Sequence, residues 1–323
     1  MKKLVLIFLL VGILIALDWR LFITSKVPLV NNHLVVRQGD TYGSLKADLL
    51  AGNQSYFADG FYRLYVGFFG ATVKPGVKSF PELSTFADVF ASLDDNPEPI
   101  KVRLPEGATA DEFADILSEQ GIGTLSSLSD CFHQCTVEKY RAYFSSMAGY
   151  EGFLFPDTYL FDPDGAVKDV LTTILGNFSR RFQPLAEKYP AVLSEKGLRT
   201  IVIIASLLER EGRTLAEKRM VAGILYRRLQ LDIRLDVDAT VLYVKKNWNS
   251  TITAQDLLNN SPYNTRKYKG LPPGPICNPS LESIEAALSP TTSNYLYYLT
   301  GRDGEMHYAT TLEGHVQNKW KFL

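Results

Sequence analysis

Two things are scarce in this 323-residue chain. The first is charge of one sign: 34 Lys and Arg stand against 35 Asp and Glu, a formal charge of −1. The lack of a basic excess argues against an electrostatic hold on nucleic acid and for a partner recognised by shape and hydrogen bonds. The second is cysteine, of which there are three. Cys131 and Cys135 in "CFHQC" are spaced either to meet on a helix or to pair as a disulfide in an oxidising compartment, which would leave Cys277 single. His133 between them would complete three ligands within one short run, a poor geometry for a single ion, and no convincing fourth ligand stands elsewhere. No metal and no cofactor are therefore expected. Internal repeats and low-complexity segments are missing as well.

What is present fits a folded chain. At 46% hydrophobic and 21% charged residues, it can bury a sizeable core, divided among two or three units. Aromatics make up 12%, which suits a sugar-stacking surface and an ordinary core equally and so decides nothing.

The N-terminus reads "MKKLVLIFLLVGILIALDWRLFITSKV". Lys2 and Lys3 precede a run without charge from Leu4 to Leu17, after which Asp18 and Arg20 intervene. The run is short for a spanning helix, which wants roughly 20 apolar residues, and resembles a signal-peptide core. Two features favour an uncleaved single-pass anchor. No small-x-small cleavage site follows directly, and Trp19, Leu21, Phe22 and Ile23 prolong the apolar character. The leading lysines would stay cytoplasmic, so the rest of the chain would lie outside the inner membrane.

Beyond the anchor (residues 1–26), "HLVVRQGDTYGSLKADLLAGN" predicts a strand over Leu34–Val36, a Gly39-Asp40 turn and a helix capped by Thr41 or Ser44. "GATVKPGVKSFPELSTFADVFASLDD" repeats that grammar, with a Pro75-Gly76 turn and a helix from near Ser84. The two units make one small αβ module over 27–99, closed by a Pro-containing linker. From 100 to 323 a second, mainly helical domain is expected, and its first part, 100–150, is a small αβ subdomain. That subdomain has a strand around Val102, a turn at Pro105-Glu106-Gly107 and a helix from Thr109 with Phe113, Ile116 and Leu117 on one face. Then come an amphipathic helix marked by Val170, Ile174, Phe178 and Phe182, and "SEKGLRTIVIIASLLEREG", apolar nearly all round and so buried. Thr214 three residues before Glu217 is a capping box that opens the next helix. The class is α+β.

The buried run ends in charge. Glu209 and Glu211 point roughly 160° apart at about 100° per residue. Leu208, Leu207 and Ile204 share the side of Glu211, whereas Glu209 follows Ala205 and Ser206. On this count Glu211 leaves the most apolar stripe, where desolvation would raise its pKa toward that of a general acid. The competing reading makes both glutamates solvated residues of a last turn, paired with Arg210, Arg213 or Arg219, and a kink at Ser206 would bring Glu209 inward instead. Further on, "YEGFLFPDTYLF" and "SPYNTRKYKGLPPGPICNPSLESIEAALSP" alternate prolines and glycines with Tyr, Asn and Thr. Such loops could wall a neutral, hydroxyl-rich ligand through Asn264, Thr265 and Asn278, or serve as structural loops.

The chain resembles the YceG-like endolytic murein transglycosylases. The resemblance rests on a short N-terminal anchor, "LPEG" at 104–107, "EGFLFPDTY" at 151–159, "ASLLEREG" at 205–212, "RRL" at 227–229, "SPYNT" at 261–265, "GLPPGPICNP" at 270–279, "AALSP" at 286–290 and "YLYYL" near 295. A last motif is formed by His307, Tyr308, Glu313 and His315. The resemblance implies a LysM-like module over 27–99 and a lysozyme-like catalytic domain with added strands. It also implies cleavage of peptidoglycan glycan strands on the outer side of the inner membrane, beside the enzymes that synthesise them.

It further implies that Glu211, less readily Glu209, is the catalytic acid. Tyr263, Asn264, Thr265, Asp238, Thr240 and Asn278 would contact or position substrate, Glu151 would be architectural, and His307 and His315 would be structural. A lytic transglycosylase needs one carboxyl group, whereas a hydrolase needs two. The chain departs from the family pattern at Arg227, where Asn is usual, and at Asp236, where Gln is usual. The second departure leaves room for a two-carboxylate hydrolase using Asp236 or Asp238. A non-catalytic glycan-binding scaffold is the alternative from another class.

Overall fold

The computed structural model describes residues 2–29, 33–36, 39–70, 72–74, 76–81, 84–95, 99–140, 149–162 and 165–323. Pro75 of the expected turn and residues 96–98 of the expected linker lie outside them. The chain divides into two compact units, Met1–Ile100 with Leu160–Gly165, and Lys101–Tyr159 with Ala166–Leu323.

In the first unit, helix α1 (Lys2–Thr24) is long and apolar enough to cross a membrane, and its residues from Leu4 to Leu17 are exposed. Its end behaves differently. Phe22 is fully buried in the core of the unit, and Trp19 and Ile23 pack against that core. Strands β1 (His33–Val36) and β2 (Gly76–Ser79) pair antiparallel, His33 opposite Ser79 and Val36 opposite Gly76. Helix α2 (Tyr42–Leu50) starts at a capping box built on Thr41, one of the two expected caps, and α4 (Phe86–Ala91) starts at one built on Thr85, next to the expected Ser84.

Helix α3 (Ala58–Phe69) has no counterpart in the sequence reading. Its "ADGFYRLYVGFF" contains two glycines and several aromatics, poor helix formers whose apolar spacing mixes periods. Tertiary contacts stabilise it instead. Phe61 and Tyr62 are buried, and the Asp18 carboxylate accepts from the Tyr56 and Phe57 backbone N–H groups at its start, at 2.9 and 3.1 Å.

Strands β3 (Ile100–Leu104) and β4 (Asp157–Phe161), most of whose residues belong to the second unit, form a two-stranded sheet. Helix α5 (Ala110–Glu119) opens at a Thr109–Glu112 capping box and packs on α6 (Leu125–Gln134). Cys131 and Cys135 at the end of α6 are joined as a disulfide, and Cys277 is buried and free. After α7 (Val167–Lys188) and α8 (Pro190–Lys196) comes the central helix α9 (Leu198–Glu211), buried at every position from Ile201 to Leu208. It packs on α10 (Leu215–Gln230), α11 (Asp238–Lys245) and α13 (Leu281–Leu288), and a short α12 (Ala254–Leu257) lies between the last two in sequence. Each fully buried Ile or Leu contributes roughly 1.5–3 kcal/mol. Ile201, Ile204, Leu207 and Leu208 together therefore outweigh the cost of desolvating one carboxyl group at the end of the helix. An antiparallel hairpin, β5 (Tyr297–Thr300) and β6 (Met306–Ala309), and α14 (Leu312–Phe322) complete the unit.

Candidate active site

The three charged residues ending α9 leave the helix in different directions. Gly212 stops the helix and Thr214 caps the next one. A Cβ on Gly212 would lie 2.9 Å from Lys218 Cγ and 3.0 Å from Lys218 N, so only glycine lets α10 begin this close behind Glu211. Glu209 turns toward α13. It accepts from Ser280 N at 2.9 Å, Ser280 Oγ at 2.6 Å and Ser283 Oγ at 2.5 Å, with Lys218 Nζ at 3.5 Å. Burial alone would raise its pKa, but those hydroxyl donors and the lysine outweigh burial and hold it below the ordinary Glu value. Glu209 is thus an ionised anchor for the N-terminus of α13. The Arg210 guanidinium donates to Gly107 O and covers the Trp248 ring at 3.7 Å. The expected solvated pairing with arginines does not occur, since the partner of Glu209 is Lys218.

Glu211 faces a cavity of about 600 Å³. Burial pushes its carboxyl up to about 7, the Tyr298 hydroxyl donates to it and pulls the other way, the Asp238 charge adds to the rise, and the Ala239 N–H subtracts from it. The helical count had placed Glu211 on the apolar stripe, and the raised pKa has the cause expected there.

The walls are set by a second tier of residues. Asp238 is the first residue of α11 and pairs with Arg266 at 3.5 Å. Beneath it Thr240 Oγ1 donates to Val237 O at 2.7 Å and meets Thr265 Oγ1 at 3.0 Å, while Val237 N donates to Thr265 Oγ1 at 3.1 Å. Both threonines are buried, so they fix the start of α11 from behind. Arg228 is also buried. It donates to Leu296 O at 2.6 Å, Arg234 O at 2.8 Å, Leu235 O at 3.0 Å and Asp236 Oδ2 at 3.0 Å, which ties the strand carrying Tyr298 to the loop carrying Asp236. Asp236 itself has φ 55, a left-handed conformation uncommon for a non-glycine residue.

Other expected residues lie elsewhere. Asn264 is fully buried and donates to Leu257 O and Asn259 O at 3.1 and 3.0 Å. Asn278 is fully buried too: its Oδ1 accepts from Gly152 N and Leu154 N at 2.8 and 3.1 Å, and its Nδ2 donates to Ala108 O and Glu151 at 3.0 and 3.2 Å. In this structure both amides are spent on holding loops together. Glu151 accepts from Ala110 N at 3.1 Å at the start of α5, the architectural position expected for it, and burial pushes its carboxyl up to about 8. Tyr263 lines a different cavity of about 410 Å³, with Glu151, Tyr243 and Trp248. His307 binds Asp303 at 2.9 Å. His315 lines the Glu211 cavity and stacks on Tyr297 at 5.3 Å, and its Nδ1 has no hydrogen-bond partner among the described residues.

Tyr298 and Arg228 stand in motifs quoted from the sequence, "YLYYL" and "RRL", without a site role there, and His315 is expected to be structural; the structure puts all three on the wall of the Glu211 cavity.

The profile of the YceG-like family matches residues 34–321. The chain belongs to that family. A protein of Bacillus subtilis named endolytic murein transglycosylase is 35% identical over 176 residues, which is 54% of this chain and 48% of that protein. A Streptococcus pneumoniae protein of the same name is 28% identical over 291 residues, 80% of this chain and 52% of that one. The chain thus spans about half the length of the curated relatives it matches. In three dimensions it is similar to a YceG-like protein of Listeria monocytogenes, with a TM-score of 0.59 and 26% identity over 88% of this chain and 98% of that one.

Proposed function

We propose that this family member is an endolytic lytic transglycosylase of peptidoglycan with Glu211 as its single acid and base. The carboxyl of Glu211 gives its proton to the glycosidic oxygen as the bond from C1 of N-acetylmuramic acid breaks. It then takes the proton of the C6 hydroxyl as that oxygen bonds to C1. The product is a 1,6-anhydro end, no water is consumed, and the enzyme regains its starting protonation. One observation carries the reading: a carboxyl group with a pKa of about 7, at the edge of an open cavity, held by a tyrosine hydroxyl and a backbone N–H. The names of the two curated relatives point to the same chemistry. Asp238 and Tyr298 tune the acid, and Thr240 and Thr265 position Asp238.

The β1-α2-α3-β2 order with antiparallel strands supports a LysM-like reading of the first unit. The end of α1 supports an uncleaved anchor, because removing it as a leader would strip Trp19 and Phe22 from the core of that unit. Lys2 and Lys3 support an orientation with the folded part outside the cytoplasm, where the family resemblance implies peptidoglycan synthases beside it.

The test is mass spectrometry of muropeptides released from purified peptidoglycan by the full-length protein in detergent. Wild type should release 1,6-anhydro ends and Glu211→Gln should release none. Reducing ends from the wild type would replace this reading with a hydrolase that uses Asp236 or Asp238 as second carboxylate. A wild type that binds glycan but releases nothing would leave a scaffold.

A further inference from the structure

Helix α3 carries two apolar faces, of which one is buried in the module and the other is bare: Phe57 is 52% exposed, Leu64 53% and Phe68 79%. At about 100° per residue these three fall within roughly 40° of one another. From the geometry of α1 and α3 we infer that this bare stripe is seated in the membrane–water interface, so that the occupant of the surface is lipid. The inference rests on the reading of α1 as an uncleaved anchor.

Length gives the first argument. The whole of α1 is long enough to cross a membrane, but its charge-free part, Leu4–Leu17, is only about 20 Å long at about 1.5 Å per residue, against a hydrocarbon core of about 30 Å. A span that short thins the bilayer or draws its flanking structure toward it. What flanks it is Asp18, and the carboxylate of Asp18 is fully engaged by the start of α3: Ser55 Oγ at 3.0 Å, Tyr56 N at 2.9 Å and Phe57 N at 3.1 Å. Tyr56, 87% exposed, and Phe57 therefore sit level with the point where the span ends. Aromatic side chains are favoured at that depth.

Orientation gives the second. Phe61 touches both Trp19 and Phe22, at 5.0 and 5.7 Å between ring centroids, and Tyr65 touches the same two, at 6.0 and 6.1 Å. A helix running alongside α1 would shift partner between positions 61 and 65, whereas one crossing its exit would not. The flank of α3 that reaches Trp19, the more membrane-proximal of the pair, is the Phe61 flank, and it adjoins the Phe57–Leu64–Phe68 stripe. The opposite flank is turned to the module, since Tyr62 Oη donates to Tyr42 O at 2.5 Å and Asp59 pairs with Lys46 of α2 at 2.8 Å. The Phe57–Leu64–Phe68 stripe thus faces the bilayer and Asp59 faces away, with Phe69 as an exposed apolar residue on the other flank, the arrangement of an interfacial amphipathic helix.

Single cysteines at Leu64, Phe68 and Ala91, an exposed residue of α4, would test this in the full-length chain. Each would carry an environment-sensitive fluorophore in phosphatidylethanolamine–phosphatidylglycerol vesicles containing lipids spin-labelled near the glycerol. The native cysteines do not compete, being a disulfide and a buried thiol. The labels at 64 and 68 should shift to the blue and lose most of their emission to the lipid quencher, while the label at 91 does neither. Water-exposed, unquenched labels at 64 and 68 overturn the inference. So does shielding from water without lipid quenching, which would mean a protein or a second copy covers the face. If alkaline extraction releases the chain from membranes, the anchor reading has failed and the inference falls with it.

Discussion

Glu211→Gln should make the fold more stable, and only where the wild-type carboxyl has to be charged. Its ordinary pKa is 4.5 and burial holds it at about 7 in the folded chain. Between those values the unfolded chain has lost the proton and the folded chain keeps it, so stability falls as pH rises through the window. At about 1.4 kcal/mol per pKa unit the penalty above pH 7 amounts to roughly 3 kcal/mol. Glutamine is neutral at every pH. The variant should therefore gain up to about 3 kcal/mol at pH 8 and almost nothing at pH 4, a rise in Tm of about 6–10 °C at the higher pH for a unit of this size. Thermal unfolding of both proteins in detergent at the two pH values is the assay. An equal gain at both, or a loss at pH 8, would refute the claim that desolvation at this site raises the pKa, and with it the assignment of Glu211 as the acid.

Three other substitutions follow from the same geometry. Tyr298→Phe removes a donor to the ionised form of Glu211, so the alkaline limb of muropeptide release against pH should move up by about one unit, and an unmoved limb would count against that hydrogen bond. Glu209→Gln takes from Lys218 the nearer of its two carboxylates, leaving Glu282 at 3.8 Å, and removes the charge that the α13 start donates to, so it should destabilise the protein by roughly 1–3 kcal/mol at neutral pH. Because the folded pKa of Glu209 is depressed, wild-type stability from this group is present above its ordinary value of 4.5 and is lost as pH falls, so urea unfolding should show the two proteins converging in acid. Gly223→Ala would put a Cβ 2.0 Å from Thr291 O, a backbone atom, and should lower Tm by several degrees through overpacking worth about 1–3 kcal/mol.

Much of the second unit was legible in the sequence because its signals are local. The Thr109 and Thr214 capping boxes open helices where expected, and the all-round apolar run "IVIIASLL" is the buried helix. Helical phase is also local, which is why a count along the helix puts Glu211, and not Glu209, on the apolar stripe. What ties Glu209 down is not: Ser280 and Ser283 lie some 70 residues away, and no spacing rule links them to it. The same holds for Tyr298, since the carbonyl of Leu296, just before its strand, is held by the buried side chain of Arg228. Asn278 looked like a ligand contact because an uncharged amide in a Pro/Gly loop reads the same whether it faces a sugar or two backbone loops. Helix α3 was missed because its propensities argue against a helix and its stabilising partner, Asp18, belongs to a segment that reads as membrane span.

The two groups that bear on Glu211 oppose each other, and this gives the site its most discriminating perturbation. Tyr298 favours the ionised form of Glu211, and the negative charge of Asp238 disfavours it. Asp238→Asn should therefore move the alkaline limb of the activity profile down, opposite in sign to Tyr298→Phe. The movement should be well under one unit, because the Asp238 side chain is 60% exposed and its field is screened by water and salt. In acid, where Glu211 is already protonated, activity should match the wild type. A hydrolase needing Asp238 as its second carboxylate behaves differently: the same substitution removes its nucleophile or base, and activity is lost at every pH. A small downward shift with full acid-side activity separates one carboxyl group tuned by a neighbour from two that share the chemistry.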